Sequence, residues 1–330
     1  MMGVWSGLAE SPFLDGRPAS DRNLLRLIGA VLGGLVVAAV AGIAAWCLTM
    51  VGFTTAIGLA PQGLQGLAQA ARVLVNPAAE GLPVQIARLV VTAAVDGGFL
   101  LVFAAFAVAV AREPLHKAMT SAPQIRWRLV AAGMILAILM LTPLAVAERQ
   151  FASDGAPPIL TIGAGLPDRI AYGAAALLLL PAAAAEELVF RGWLLRRLAA
   201  FNAHSAVLIV GTGLVFAAAH LDFNPDAFMT RAIMGGGFAY MTLRLGGIEF
   251  STGVHAAHNM LIVLLLEPLN FQPESTQISA FSLVEDLSLV VGYFIITEAV
   301  VHAPLLRRLT GVRRQDLSPP DNERECSLSD

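Results

Sequence analysis

Apolar residues in this chain fall in long, nearly unbroken runs rather than in the one-sided stripes of a soluble helix. Eight runs stand out, at 27–53, 86–111, 129–147, 170–195, 205–221, 228–244, 250–267 and 281–306. Each is close to the about 17–25 residues that cross a bilayer as a helix. The runs at 205–221 and 228–244 are the weakest, because glycine and polar residues dilute them. Open sheets are excluded in lipid, where unpaired backbone groups find no partner, and the runs are too continuous for a barrel. The pattern predicts an all-α fold, a polytopic membrane helix bundle with about eight transmembrane helices. No repeat of fixed period is apparent.

The connections divide the chain. A short segment, 1–26, precedes three spans within 27–169. A second membrane region covers 170–267, and 268–315 holds the last span and a basic end. The tail 316–330 is polar and contains proline, which predicts disorder. In the long connection 54–85, Leu64, Leu67, Ala71, Leu74 and Val75 recur at helical spacing beside Gln62, Gln65 and Gln69. That pattern suits a helix lying in the outer interface, with a plain loop as the alternative.

Composition agrees with embedding. The chain is 57% hydrophobic and 14% charged, against about 25% charged in soluble domains. A mean hydropathy of +0.71 over 330 residues is more than one anchor supplies. The net charge of −3 gives no footprint for nucleic acid. Cys47 and Cys326 are the only cysteines, too few for a disulfide framework or a zinc cluster. The first residues lack a basic start followed by an apolar stretch, so the first span is expected to act as its own insertion signal. With an even number of spans the termini share a side, and sixteen of the 21 basic residues fall there; Arg72, Arg88, Arg149, Arg169 and Arg231 fall on the other. The positive-inside rule then puts both termini in the cytoplasm, in the inner (cytoplasmic) membrane of a cell.

Against this background a few ionisable residues stand out. A charge at the centre of a membrane helix costs roughly 2.5–3.5 kcal/mol on insertion scales, so such residues are functional candidates. Glu186, Glu187 and Arg191 lie in one run. Glu187 and Arg191 are four apart and share a helix face, where they can pair. Glu186 is rotated about 100° away and has no basic residue three or four positions from it. A carboxylate facing a water-filled cavity can serve as a general base near neutral pH. Glu186 is therefore assigned to chemistry, and Glu187 with Arg191 to support. The competing view makes all three interfacial charges, but Glu186 precedes Arg196 by ten residues, about 15 Å deeper along a helix.

The next candidates lie on later runs. Phe216 and His220 are four apart, so the ring stacks over the imidazole; alone, His220 could equally be a satisfied residue near a helix end. His255 and Asn259 share a face, and together could donate to an oxyanion or hold a water. An interhelical hydrogen bond explains them as well. The glycines Gly211, Gly213, Gly235–Gly237, Gly246 and Gly247 are read as sites of close helix packing.

The set EELVFR, FAAAH and HAAHN, in that order on three of the runs, resembles the CPBP family of intramembrane proteases, which includes CAAX-type prenyl endopeptidases and bacteriocin-processing or immunity proteins. The resemblance covers about a third of the chain, roughly residues 170–266. It implies an eight-helix intramembrane endopeptidase acting on a membrane peptide or lipid-linked peptide. In that reading Glu186 activates the attacking water, His220 helps hold it, and His255 with Asn259 stabilises the oxyanion. Glu187, Arg191 and Phe216 shape the cavity. Glu186, His220 and His255 are also a three-ligand set for a divalent metal such as zinc. The chain lacks HExxH, and a metal-free route needs only a base and oxyanion donors. A non-catalytic scaffold or immunity protein, or a transporter, remains the other class, although no paired broken repeats of a transporter are apparent.

Overall fold

The long apolar runs form long helices. Residues 7–15, 23–76, 79, 81–112, 114–152, 155–201, 204–269, 278 and 280–317 are described by the computed structural model. Among them the regular structure is helical, apart from one isolated bridge between Thr120 and Gly247. Helix α1 spans Leu24–Ala56 and starts where the Asn23 side chain accepts from the Arg26 amide. Helix α2, Leu64–Val75, is the helix alternative of the 54–85 connection; it buries Ala70 and Leu74 against Met50, Phe53 and Val84. Helix α3, Leu82–Ala111, runs antiparallel to α1, with Gly33 and Gly34 against Phe106 and Phe103, and Gly42 against Phe99.

Helix α4 spans Trp127–Ala152, and α5 runs from Leu166 to Phe201. Then come α6 (Ser205–Ala219), α7 (Pro225–Leu245) and α8 (Glu249–Leu261). Helix α9, Ala280–His302, is followed after an 86° bend by α10, Pro304–Thr310.

Four of these helices, α1, α3, α4 and α5, are long and apolar enough to cross a membrane, and the α9–α10 pair makes up to five. The sequence pattern predicted eight. The shortfall falls on α6, which has 15 residues, and on α7 and α8. Its physical reason is burial. From Phe238 to Leu245 and from Glu249 to His258 every residue is buried, so these segments meet protein and need not be apolar. Helices α1 and α9 instead expose Leu25, Leu32, Val36, Leu287 and Ile295, as lipid-facing surfaces do.

Glycines set the inner spacing. Helices α4 and α8 run parallel and touch backbone to backbone: a methyl group on Gly133 would lie 2.5 Å from the Phe250 carbonyl, and one on Gly253 would collide with that of Val130. Gly213 of α6 and Gly235 of α7 make a similar crossing. We expect Gly253→Ala to destabilise by about 1–3 kcal/mol, the usual range for overpacking. Gly211→Ala, at a position with open space around it, should be neutral. Thermal unfolding in detergent compares the two.

One end of the bundle gathers the basic residues. There Arg126 pairs with Glu249 at 2.7 Å, Arg244 with Glu298 at 2.8 Å, and Arg196 donates to the Phe13 carbonyl. Asp316 is buried at this end, 3.7 Å from Arg126, in a short 3-10 turn, Arg314–Asp316. The first two residues of the tail predicted to be disordered, Asp316 and Leu317, are thus held in place, and 318–330 lie outside the described residues. At the opposite end Arg88 donates to the carbonyls of Leu74, Asn76 and Leu269, and Arg149 to that of Leu266.

Candidate active site

Glu186 and Glu187 close an α-helical stretch of α5, Leu179–Glu187, and a seven-residue π segment follows, Leu188–Leu194. A second π segment, Ile262–Leu266, prolongs α8 just beyond His258 and Asn259. Single π turns inside helices recur at functional sites because they redirect side chains. Gly192 belongs to the first, where its bare Cα lies against the Ala118 carbonyl.

The charges meet between α5 and α8. Glu187 Oε1 accepts from Arg191 Nη1 at 2.9 Å and lies 3.0 Å from His255 Nδ1. The side chains of Glu187 and Arg191 are fully buried. An ionised carboxylate only accepts, so this contact puts a proton on His255 Nδ1 and turns Nε2 toward Glu186. His255 Nε2 stands 3.6 Å from Glu186 Oε2, too far for a direct hydrogen bond. The Glu186 side chain keeps 16% of its surface, whereas Glu187 keeps none. The more open carboxylate is thus the one without a guanidinium partner on its own helix.

Aromatic rings hold the cluster. The Arg191 guanidinium lies 4.5 Å from the Phe216 ring centre and 5.1 Å from that of Phe238, and its Nη2 donates to the Gly235 carbonyl at 2.8 Å. Such cation–ring contacts contribute about 2 kcal/mol or more when desolvated. Phe216 also touches the rings of His220 at 4.8 Å and His255 at 5.8 Å. His220 caps α6, and its Nδ1 meets the Phe216 carbonyl at 2.9 Å. A carbonyl only accepts, so the His220 Nε2 lone pair is left available. His220 is joined to the cluster through Phe216. Asn259 is half-buried, one turn beyond His255 on the same face.

The structure thus brings Glu186, Glu187, Arg191 and His255 into direct proximity and sets His220 against the shared Phe216 ring. Arg191, counted in the sequence with the basic helix ends, is a buried member of the cluster. Among the described residues no three His, Cys, Asp or Glu side chains are grouped to hold a metal ion, Glu186, His220 and His255 included. Sequence reasoning missed Phe238, which stacks on His255 at 4.8 Å and 26°, and the Gly235 carbonyl. Their only signal was the GGGF run in a diluted span, which packing alone explained.

The described residues are almost wholly helical, and several membrane-length helices around a buried carboxylate–histidine–arginine cluster define a multi-pass membrane protein with a polar centre. Residues 169–261 match the family model described as type II CAAX prenyl endopeptidase Rce1-like, which bears out the resemblance carried by the three motifs. The chain is also 29% identical over 168 residues to the "Uncharacterized protein YyaK" of Bacillus subtilis (strain 168). That match takes in 48% of this chain and spans 54%, about half, of the relative's length. No solved structure matches.

Proposed function

We propose that this protein is an intramembrane endopeptidase of the CAAX-protease-like type, and that Glu186 activates the water that hydrolyses the peptide bond. The observation that carries this reading is the asymmetry of the glutamate pair. Glu187 is tied to Arg191 and His255, while Glu186 faces His255 Nε2 across a gap of 3.6 Å. In this reading the water gives one proton to Glu186 and directs its other O–H to the His220 Nε2 lone pair. Its oxygen then attacks the substrate carbonyl. With protons on both ring nitrogens, His255 donates Nδ1–H to Glu187 and Nε2–H to the developing oxyanion, with the Asn259 amide as second donor. Glu186 then returns its proton to the leaving amine. No step here passes through a metal.

The substrate class that fits is a membrane peptide or a lipid-linked peptide. We also propose that the shorter helices α6, α7 and α8 complete eight crossings around the site, in the inner (cytoplasmic) membrane with the arginine-rich end on the cytoplasmic side. The direct test compares protein termini, by mass spectrometry of membranes, between cells carrying this chain and cells carrying Glu186→Ala at equal abundance. New termini that vanish in the variant support proteolysis and identify the substrate. Identical termini would overturn it in favour of a binding or scaffold role.

A further inference from the structure

Helix α3 carries an ionisable residue that the chemistry above does not use. Asp96 stands halfway along its span, Leu82–Ala111, at the depth where a charge in a membrane helix costs most. Its carboxyl enters no hydrogen bond or ion pair among the described residues, and the residue is exposed. A bare carboxyl at that depth costs stability, so packing does not account for it.

Its neighbours connect Asp96 to the site. The adjacent Gly97 presses on α5, where a methyl group on it would lie 3.3 Å from the Ala182 Cα. Ala182 precedes Glu186 by four residues and shares its helix face. The Asp96 and Glu186 carboxylates are close enough for their charges to repel.

A second observation lies one turn before Asp96, on the same face of α3. The Thr92 hydroxyl oxygen is buried and has no partner among the described residues. Thr54, Thr212 and Thr297 behave differently, each donating at 2.6 Å to the carbonyl four residues earlier. Threonine inside a helix commonly satisfies its hydroxyl in that way, and Thr92 does not. Helix α3 therefore presents an unspent acceptor and an unspent donor beside α5. A peptide opened out of its helix for attack has the complementary need. Its freed N–H and C=O groups meet no water in the membrane core, and leaving them unpaired is costly.

We propose that Asp96 and Thr92 bind the backbone of a peptide at the site, Asp96 accepting from its unpaired N–H groups and Thr92 donating to a carbonyl. Recognition of this kind does not depend on the peptide's side chains. It rests on the peptidase reading for its purpose, but binding can be measured without cleavage.

The test uses the full chain in lipid nanodiscs and a fluorescein-labelled leucine–alanine undecapeptide amide, followed by anisotropy with empty nanodiscs subtracted. A twin peptide carries hydroxy acids at its three central residues, so that esters replace three N–H groups and the side chains stay the same. We expect the wild type to bind the amide peptide at least tenfold more tightly than the ester twin. Asp96→Ala should weaken the amide peptide at least tenfold and leave the ester twin within twofold. Asp96→Asn, whose side-chain oxygen still accepts, should keep part of the preference. Thr92→Val should weaken both peptides, because both keep their carbonyls. Asp96→Ala should unfold at the same or a higher temperature, since it removes a charge without a partner. Equal binding of the two peptides by the wild type, a preference that survives Asp96→Ala, or a lower unfolding temperature in that variant would overturn the site. Wild-type affinities in Thr92→Val would overturn the part given to Thr92. A preference that needs Asp96, without any Glu186-dependent cleavage, would keep the site and overturn the peptidase reading instead.

Discussion

Replacing Arg191 with methionine should cost the protein roughly 3–5 kcal/mol of stability, the range for breaking a buried ion pair from one side. The guanidinium is fully buried, pairs with Glu187 at 2.9 Å, donates to the Gly235 carbonyl and lies against the Phe216 and Phe238 rings. Methionine fills much of the volume but leaves the buried Glu187 carboxylate without its guanidinium partner. Restoring charge balance with Glu187→Gln in the same chain should recover part of the loss. Thermal unfolding in detergent, read beside the amount of protein in membranes, checks both. Wild-type stability for Arg191→Met would mean that the cluster does not brace the bundle.

Glu186→Gln should behave in the opposite way. Its Oε2 is 3.6 Å from His255 Nε2 and its side chain is partly open, so the amide should change stability by less than about 0.5 kcal/mol. Peptide cleavage should fall by about 10²–10⁴, the usual contribution of a general base. The contrast matters more than either number, because one change removes a buried charge with its hydrogen bonds and the other replaces a single oxygen by an amide nitrogen. Loss of stability in Glu186→Gln comparable to that of Arg191→Met would place Glu186 among the bracing residues.

Much of this arrangement was readable in the sequence because it is local. The Glu187–Arg191 contact and the Phe216–His220 ring contact, which is edge-on at 64° rather than stacked, both follow from spacing of four on a helix. The apolar runs marked the long helices for the same reason. What escaped depends on neighbours. The contact of Glu187 with His255 crosses from α5 to α8, and the π segment Leu188–Leu194 has no composition of its own. Phe238 stacks on His255 across α7 and α8, and Gly213 with Gly235 brings α6 against α7. Length and apolarity alone mark four spans, or five with the α9–α10 pair, because α7 and α8 are enclosed by protein and carry Arg244, Glu249, His255 and His258. Asp316, read as the start of a free tail, is instead held at the basic end, where the Arg313 amide donates to it at 2.9 Å.

The central claim is that Glu186 drives peptide hydrolysis, and the most direct measurement uses the purified full chain in lipid nanodiscs. Wild type and Glu186→Gln would be incubated at equal concentration with a pool of quenched fluorogenic hydrophobic peptides, and initial rates compared. The account predicts release by the wild type and a rate at least a hundredfold lower for the variant, with both proteins unfolding at the same temperature. Equal rates for the two, or no release by the wild type from any peptide of the pool, would contradict it.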